Sequence, residues 1–200
     1  MPKLLETTRA ARQARILRAA VTCFARQGYY GTTMEEIAAE AGIAKGAAYV
    51  YFPSKEAIFI ALYDTWDCTL REEIMRALAA LPPAEQESAR RVLRTIVEAT
   101  GQHVQAEAAT CRVLMEGRAL AAYVPAIAER VTAEQAQAQA QIEALIWAGV
   151  AAGEWPPDFD AALHATLVRA TIHGLMATWH LALGSFSWDA AAAALAAGCV

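Results

Sequence analysis

One short segment, residues 32–59, carries side chains whose types and spacing could contact a nucleic acid. Its sequence is TTMEEIAAEAGIAKGAAYVYFPSKEAIF. Lys45 can reach a guanine edge or a backbone phosphate, and the small residues Gly46 and Ala47 allow a close approach to the bases. Ala47 or Ala48 can also touch a thymine methyl group. The chemistry that this segment supports is therefore reversible binding to DNA.

Two short helices joined by a tight turn must position these side chains. Thr33 and Glu36 have the T-x-x-E spacing of a capping box, which predicts the start of a helix over residues 34–41. Gly42 supplies the positive φ that the turn requires, and a second short helix is predicted over residues 44–51. In a helix-turn-helix, the N-terminal residues of the second helix face the base edges of the major groove. In this sequence those residues are Ala44, Lys45, Gly46 and Ala47.

Charge is distributed unevenly along the 200 residues, whose net charge is −4. Residues 1–56 carry eight basic and five acidic side chains, and the remainder carries nine basic and sixteen acidic ones. A basic segment on an acidic body is typical of a DNA-binding module attached to another domain. Arg9, Arg12 and Arg15 either contact DNA or form a solvated helix face, and the sequence leaves both interpretations open.

The whole chain is predicted to be helical. Apolar residues recur at helical spacing, and alanine, a strong helix former, is abundant. One of the longer helices is predicted over residues 84–105. The predicted fold class is all-α with about nine helices. It comprises an N-terminal three-helix helix-turn-helix DNA-binding domain, residues 1–54, and a larger C-terminal helical domain, residues 55–200.

The compartment follows from two negative features of the sequence. The N-terminus has no apolar stretch of signal-peptide length, and no segment reaches the ~18–20 apolar residues of a membrane-spanning helix. We therefore expect a cytoplasmic protein without membrane contact. The four cysteines, including Cys199, are widely separated and are predicted to be free thiols.

A set of residues between positions 28 and 56 matches the pattern of a known family. These residues are Gly28, Thr32, Thr33, Ile37, Ala38, Ala41, Gly42, Lys45, Gly46, Tyr49, Tyr51, Phe52, Ser54, Lys55 and Glu56. Over about residues 10–60 the chain resembles the TetR family of bacterial transcriptional repressors. The resemblance implies a homodimer that binds a palindromic operator. It also implies that the larger domain binds an inducer and dimerises through its last two helices.

Further DNA contacts are carried over from the resemblance by position. Thr33 would hold a phosphate near the start of its helix, and Tyr49 would donate its hydroxyl to another. Lys55 would clamp a third phosphate together with the amide groups that begin the next helix.

The sequence departs from the common family pattern inside the recognition helix. Ala44 and Ala47 stand where Ser or Thr is frequent, and Val50 stands where His or Trp is common. These changes remove hydrogen-bonding groups from the DNA-facing surface. Base readout is therefore expected to be sparse, with DNA shape and phosphate contacts supplying more of the specificity.

The larger domain is expected to enclose a pocket for a small, largely apolar or aromatic effector. The candidate pocket positions include no Asp, Glu, Lys or Arg, and apolar pockets with a few polar groups are the usual form of small-molecule sites. The candidate ligand-binding residues are Trp66, Leu70, His103, Cys111, Met115, Trp147, His173 and Met176.

The last two predicted helices supply the expected dimer interface. Small and apolar residues recur there at spacings of three and four, and Gly174 permits a close approach of two backbones. The candidate residues are Leu167, Thr171, Gly174, Thr178, Leu181, Trp188 and Leu195. His173 and His180 lie about 10.5 Å apart along one helix, which is too far for a shared zinc ion. No metal or other cofactor is predicted.

The sequence leaves one alternative to a ligand-responsive repressor and argues against an enzyme. The larger domain could serve only for dimerisation or docking, in which case the protein is a DNA-binding regulator without an inducer. An enzyme is excluded, because the sequence has no HExxH, GxSxG, P-loop or dinucleotide motif. The sequence does not decide between repressor and activator.

Overall fold

The computed structural model describes residues 2–181 and 186–198 of the chain. Every regular element in these residues is helical, which confirms the all-α fold class. Cys199 and the side chain of His180 lie outside the described residues, whereas Cys23, Cys68 and Cys111 are free thiols. The elements are α1 (Pro2–Gly31), α2 (Met34–Glu40), α3 (Lys45–Tyr51), α4 (Lys55–Ala79), α5 (Pro83–Gln86), α6 (Ala89–Ala106), α7 (Ala108–Gly117), a 3₁₀ helix (Arg118–Ala122), α8 (Pro125–Ala151), α9 (Ala161–Leu181) and α10 (Trp188–Ala197).

Helices α1, α2 and α3 form the predicted three-helix arrangement at the N-terminus. Ile16, Ala20 and Phe24 lie on the buried face of α1, at the spacing that the sequence predicted. Gly28 has a φ of 71°, which breaks the helical conformation near the end of α1. The break redirects the chain toward α2, and a residue with a Cβ rarely adopts this φ.

The turn between α2 and α3 has the conformation expected of a helix-turn-helix. Gly42 has a φ of 62°, and the amide of the next residue, Ile43, donates to the carbonyl of Ala38 at 3.0 Å. Ala38 and Ala48 are fully buried, so α2 and α3 cross closely on small side chains. The sequence therefore predicted this motif correctly from its local signals.

The described chain divides into two compact units. Unit 1 comprises Met1–Trp66 and Ala109–Arg130, and unit 2 comprises Asp67–Ala108 and Val131–Val200. Within unit 1, α7 and the 3₁₀ helix therefore group with the three N-terminal helices and the start of α4. This structural division differs from the functional boundary after residue 54, which stays a prediction.

Helix α10 packs inside unit 2, mainly against α6. A Cβ on Gly101 of α6 would lie 2.5 Å from the ring of Trp188, so this glycine makes room for the indole. Trp188 is 5% exposed and Leu195 is 1% exposed. The prediction that these two side chains form the dimer interface is therefore wrong. The apolar face of α10 is covered by its own protomer.

The helix predicted over residues 84–105 is divided in the structure. The short helix α5 ends at Gln86, and α6 begins after Ser88, whose hydroxyl accepts from the amide of Arg91. The carboxylate of Glu154 accepts from the Ser88 hydroxyl and from the amides of Ala89 and Arg90 at 2.7–3.0 Å. The two carboxylate oxygens thus satisfy amides that a helix start leaves without an intrahelical partner. This long-range contact explains the division, which the local periodicity could not show.

Candidate nucleic-acid interface

The predicted base-reading residues lie on an exposed surface of α3. Ala44, Lys45 and Gly46 are exposed, and Ala47 is half-buried, while Ala48 on the opposite face is fully buried. A Cβ built on Gly46 would meet no atom within 4 Å, so the backbone is open at this point. One face of α3 thus anchors the helix and the other is available for a groove.

Tyr49 and Val50 extend this exposed surface along α3. Their side chains are 43% and 70% exposed, respectively. Tyr49 is therefore accessible to solvent, and its phosphate contact stays a prediction. An exposed valine agrees with the expectation of few hydrogen-bonding groups on this helix.

Lys45 forms an ion pair with Glu35 of α2, which sequence analysis missed. The hydrogen bond between them raises the pKa of the lysine and lowers the pKa of the carboxyl group. Both side chains are at least half exposed, so solvent screens the interaction and its contribution to stability is small. The one lysine of α3 is therefore held in an ion pair with a carboxylate of the same protomer. The opposite charges of the residues at positions 35 and 45 are the feature of the sequence that could have predicted this ion pair.

Thr33 caps α2 as predicted, and its partner is Glu36. The Thr33 amide and hydroxyl both donate to the Glu36 carboxylate, at 2.8 and 3.0 Å, and the Glu36 amide donates to the hydroxyl at 3.2 Å. The hydrogen bonds that the carboxylate accepts, led by the one from the Thr33 amide, lower the pKa of Glu36. The capping part of the prediction is confirmed, whereas the phosphate contact of Thr33 stays a prediction.

Lys55 has a different environment from the exposed phosphate clamp that the sequence predicted. Its Nζ donates to the carbonyl oxygens of Tyr29 and Thr32, at 2.6 and 2.9 Å, and lies 4.3 Å from the centre of the Tyr29 ring. Burial lowers the pKa of this ammonium group. The side chain joins the start of α4 to the segment between α1 and α2. We therefore interpret Lys55 as a residue that positions the helix-turn-helix.

Three arginines of α1 lie beside the helix-turn-helix. Arg12 donates to the Tyr51 hydroxyl at 3.1 Å, and the Arg9 guanidinium lies 5.9 Å from the centre of the same ring. Arg15 donates to the Gly42 carbonyl at 3.2 Å. All three belong to the part of α1 that packs with α2 and α3. They place positive charge beside α2 and α3 while holding these helices to α1, and whether they also contact DNA stays a prediction.

The candidate ligand-binding residues are divided between the two units. In unit 1, Trp66 and Cys111 are buried, and desolvation raises the pKa of the Cys111 thiol to about 12. In unit 2, His103 is buried with its Nδ1 2.9 Å from a carboxylate oxygen of Glu73. Trp147 is 51% exposed, so it does not line an enclosed site within its own protomer. Met176 is buried, and the remaining candidates, Leu70, Met115 and His173, are half-buried.

A cavity of about 190 Å³ lies within unit 1. None of the eight predicted ligand-binding residues forms its wall. The wall combines aromatic rings, aliphatic side chains and one carboxylate, contributed by Phe24, Tyr29, Tyr30, Phe59, Val113, Glu116, Gly117 and Leu120.

The predicted dimer residues of α9 lie on the surface of unit 2. Gly174, Thr178 and Leu181 are exposed, and Leu167 and Thr171 are half-buried. Leu163, which is 55% exposed, extends the same spacing by one turn and was missed. A Cβ on Gly174 would meet no atom within 4 Å. This face of α9 is therefore open to a second helix.

A metal-binding cluster and a membrane-spanning helix are both absent from the described residues. Residues 2–181 and 186–198 contain no group of three or more His, Cys, Asp or Glu side chains placed to hold a metal ion. Over the same residues, none of the helices combines the length and hydrophobicity that a bilayer crossing requires.

A helix-turn-helix with an exposed recognition helix, followed by a larger helical region, defines the class of DNA-binding transcriptional regulators. Two family models match this chain. Residues 16–62 match "Bacterial regulatory proteins, tetR family", and residues 89–199 match "BetI-type transcriptional repressor, C-terminal". The second match alone covers more than half of the chain. The chain therefore belongs to the TetR family of bacterial transcriptional regulators.

Similar sequences have the same class. The transcriptional regulator RutR of Escherichia coli O157:H7 is 29% identical over 154 residues, which are 74% of this chain and 66% of RutR. The uncharacterised regulator YerO of Bacillus subtilis is 38% identical over 77 residues, which are 37% of this chain and 27% of YerO. These matches thus span from about a quarter to just under two thirds of the relatives' own lengths.

Solved structures share the fold over almost the whole chain. The fatty acid degradation regulator FadR from Bacillus halodurans has a TM-score of 0.79 at 18% identity, with 92% of each chain covered. FadR from Bacillus subtilis, solved in complex with stearoyl-CoA, has a TM-score of 0.75 at 19% identity, with 92% of this chain and 95% of that chain covered. At these identities the likeness shows the fold alone.

Proposed function

We propose that this regulator is a repressor that binds a palindromic operator as a homodimer and is released by a small, largely apolar effector. The observation that carries the DNA-binding part is the exposed face of α3. That face presents Lys45, Gly46 and Tyr49, and α3 is held from behind by buried Ala48. Lys45 supplies base or phosphate contact, and Tyr49 donates to a phosphate.

The geometry of a dimer suits the recognition of a palindromic operator. Two recognition helices about one DNA turn apart, ~34 Å, fit successive major grooves of a palindrome. The open face of α9, with Leu163 and Leu181 exposed, supplies apolar surface for a second copy. Exposed Trp147 of α8 adds to the apolar surface of unit 2 and fits a dimer contact better than a ligand contact.

The effector part of the proposal rests on the family and on the continuity of α4. This helix begins at Lys55, beside the helix-turn-helix, and is continuous to Ala79. An effector that prefers one tilt of α4 would change DNA affinity, and a coupling of ~1–3 kcal/mol gives a 5- to 150-fold effect. Stearoyl-CoA, which joins an apolar acyl chain to a charged coenzyme A group, is bound in the structure of Bacillus subtilis FadR, which has the same fold.

A DNA titration at two salt concentrations tests the proposed interface. The wild-type protein is compared with Tyr49→Phe and Lys45→Gln on a palindromic operator selected from random DNA. Tyr49→Phe should weaken binding about 30- to 900-fold, because the dimer loses two hydrogen bonds to charged phosphates, one per subunit, at ~1–2 kcal/mol each. Lys45→Gln should weaken binding and reduce the salt slope by about two, one for each subunit.

The ion pair between Glu35 of α2 and Lys45 of α3 allows a second test of the role of Lys45 in the same titration. Glu35→Gln frees Lys45 and is expected to strengthen binding about two- to fivefold, within the range of an exposed ion pair. Glu40→Gln removes the same charge from α2 at a position that faces Arg26 rather than Lys45. Equal effects of the two glutamine variants would contradict the assigned role of Lys45. Selection of no palindrome by the wild-type protein would contradict operator binding.

The substitution Gly174→Arg tests the proposed dimer interface. The open space at this Cβ means that arginine fits the protomer, whereas it blocks close approach of a second α9. We expect the variant to sediment as a folded monomer and to lose cooperative operator binding. Met75→Arg, at an exposed apolar position of α4, is the matched control and should remain dimeric. A dimeric Gly174→Arg protein would place the interface on another face.

A further inference from the structure

The cavity of unit 1 lies beside the residues that lead from α1 into α2. Phe24 of α1 and Tyr29 and Tyr30, which follow the break at Gly28, form one side of it. Phe59 of α4 and the residues of α7 form the other side. The cavity is therefore bounded by the elements that carry the helix-turn-helix, and it is separate from the ligand residues predicted from the sequence.

Aromatic rings determine the shape of the cavity. Phe24, Tyr29 and Phe59 contact one another with ring centres 5.7–6.1 Å apart, in one stacked and two edge-to-face pairs. A Cβ on Gly117 would lie 2.0 Å from the Phe59 ring, so the backbone of α7 approaches this ring directly. The absent side chain at Gly117 thus leaves room for Phe59 at the cavity wall.

The size of the cavity limits its ligand to about one ring. An apolar cavity of about 150 Å³ accommodates benzene. The volume here is about 190 Å³, which fits a six-membered ring with one short substituent. The aromatic wall offers such a ring offset-stacked and edge-to-face contacts.

The charge of the wall decides which substituent is favoured. Glu116 contributes an exposed carboxylate, and the eight wall residues include no Lys, Arg or His. A carboxylate accepts hydrogen bonds and attracts cations, and the faces of aromatic rings also attract ammonium groups. Lys55 already uses the Tyr29 ring in this way, at 4.3 Å. The wall therefore favours a cationic donor and disfavours an anionic group.

We propose that this cavity is a binding site for a monocyclic arylalkylamine, which is protonated at neutral pH, with the ring between Phe24, Phe59 and Val113 and the ammonium group at Glu116. The proposal that a ligand binds there depends only on the cavity and not on the proposed function. Any effect of the ligand on DNA affinity rests additionally on the proposed function. Such an effect would act through Tyr29 and Tyr30, which connect the cavity to the start of α2.

Calorimetric titration of the whole protein without DNA tests the site. Benzylamine is the probe, benzoate carries the opposite charge on the same ring, and methylamine carries the charge without the ring. We expect benzylamine to bind in the millimolar range or tighter, as small ligands of its size do, and the other two to bind at least tenfold more weakly. Equal binding of benzylamine and benzoate, or binding of neither, would overturn the proposal.

Two variants locate the binding. Glu116→Gln alters only an exposed side chain and should weaken benzylamine about three- to tenfold, whereas Glu129→Gln, on an exposed acid outside the wall, should leave it unchanged. Val113→Phe fills part of the cavity and should abolish binding in protein that keeps its wild-type helicity. Unchanged benzylamine affinity in Glu116→Gln would exclude this site, even if Val113→Phe failed to fold. Because no DNA is present, these outcomes are independent of operator binding.

Discussion

Replacing Trp188 with alanine is expected to lower the free energy of unfolding by about 3–5 kcal/mol, the usual cost of removing a buried large aromatic side chain. The indole is 5% exposed and lies against Gly101 of α6, where a Cβ would be 2.5 Å away. Alanine would leave a cavity between α6 and α10 that the glycine cannot fill. Chemical denaturation followed by circular dichroism measures the loss.

The dependence of this stability loss on protein concentration shows whether Trp188 packs inside one protomer, as in the structure, or at a dimer interface, as the sequence predicted. A contact inside one protomer gives the same loss at every protein concentration, whereas loss of a dimer contact is greatest where dissociation limits stability. Trp188→Phe keeps a ring against Gly101 and should retain much of the stability. A Trp188→Ala protein that unfolds like the wild type but sediments as a monomer would restore the interface assignment of α10.

Local signals predicted the N-terminal motif because its determinants are close in sequence. The capping box joins Thr33 to Glu36, and the turn depends on the φ of Gly42. Both effects act within four residues, so residue type and spacing are sufficient to specify them. The helical spacing of apolar and polar residues in α3 likewise indicates which of its faces is exposed.

The features that could not be predicted from the sequence depend on contacts between residues far apart in the chain. Lys55 finds two carbonyl acceptors 23 and 26 residues away, and nothing in its neighbourhood in sequence indicates this burial. Trp188 is 87 positions from Gly101, so an apolar helix face gave no sign of whether its own protomer or a partner covers it. Periodicity identifies an apolar face and leaves its partner open.

The ligand-binding candidates show the same limit. They are aromatic, sulfur-containing, histidine or leucine side chains on predicted helices, and such residues serve equally well in ordinary cores. The cavity instead depends on Gly117, which leaves space for Phe59, and on rings that meet after the break at Gly28. A glycine that creates space has no chemical signal of its own. Only the packing around it shows its role.

The substitutions Gly42→Ala and Gly46→Ala are expected to change the free energy of unfolding in opposite directions. Gly42 has a φ of 62°, and a left-handed conformation costs other residues roughly 1–2 kcal/mol. Its Cβ would also lie 2.4 Å from the Arg15 guanidinium that donates to the Gly42 carbonyl. We therefore expect Gly42→Ala to lower the stability of the helix-turn-helix by about 1–3 kcal/mol. At Gly46 the Cβ meets nothing and helix propensity improves, which stabilises by up to about 1 kcal/mol.

DNA affinity separates the two glycines further. Gly42→Ala should weaken operator binding because it distorts the turn that sets the angle of α3. Gly46→Ala should also weaken binding, although the protein is more stable, because its methyl group occupies the surface that approaches the bases. Hydrogen exchange of the α2 and α3 amides, read beside operator titrations, measures both effects. A Gly46→Ala protein with unchanged stability and unchanged operator affinity would show that this end of α3 does not face DNA, and the recognition surface would then lie nearer Tyr49 and Val50.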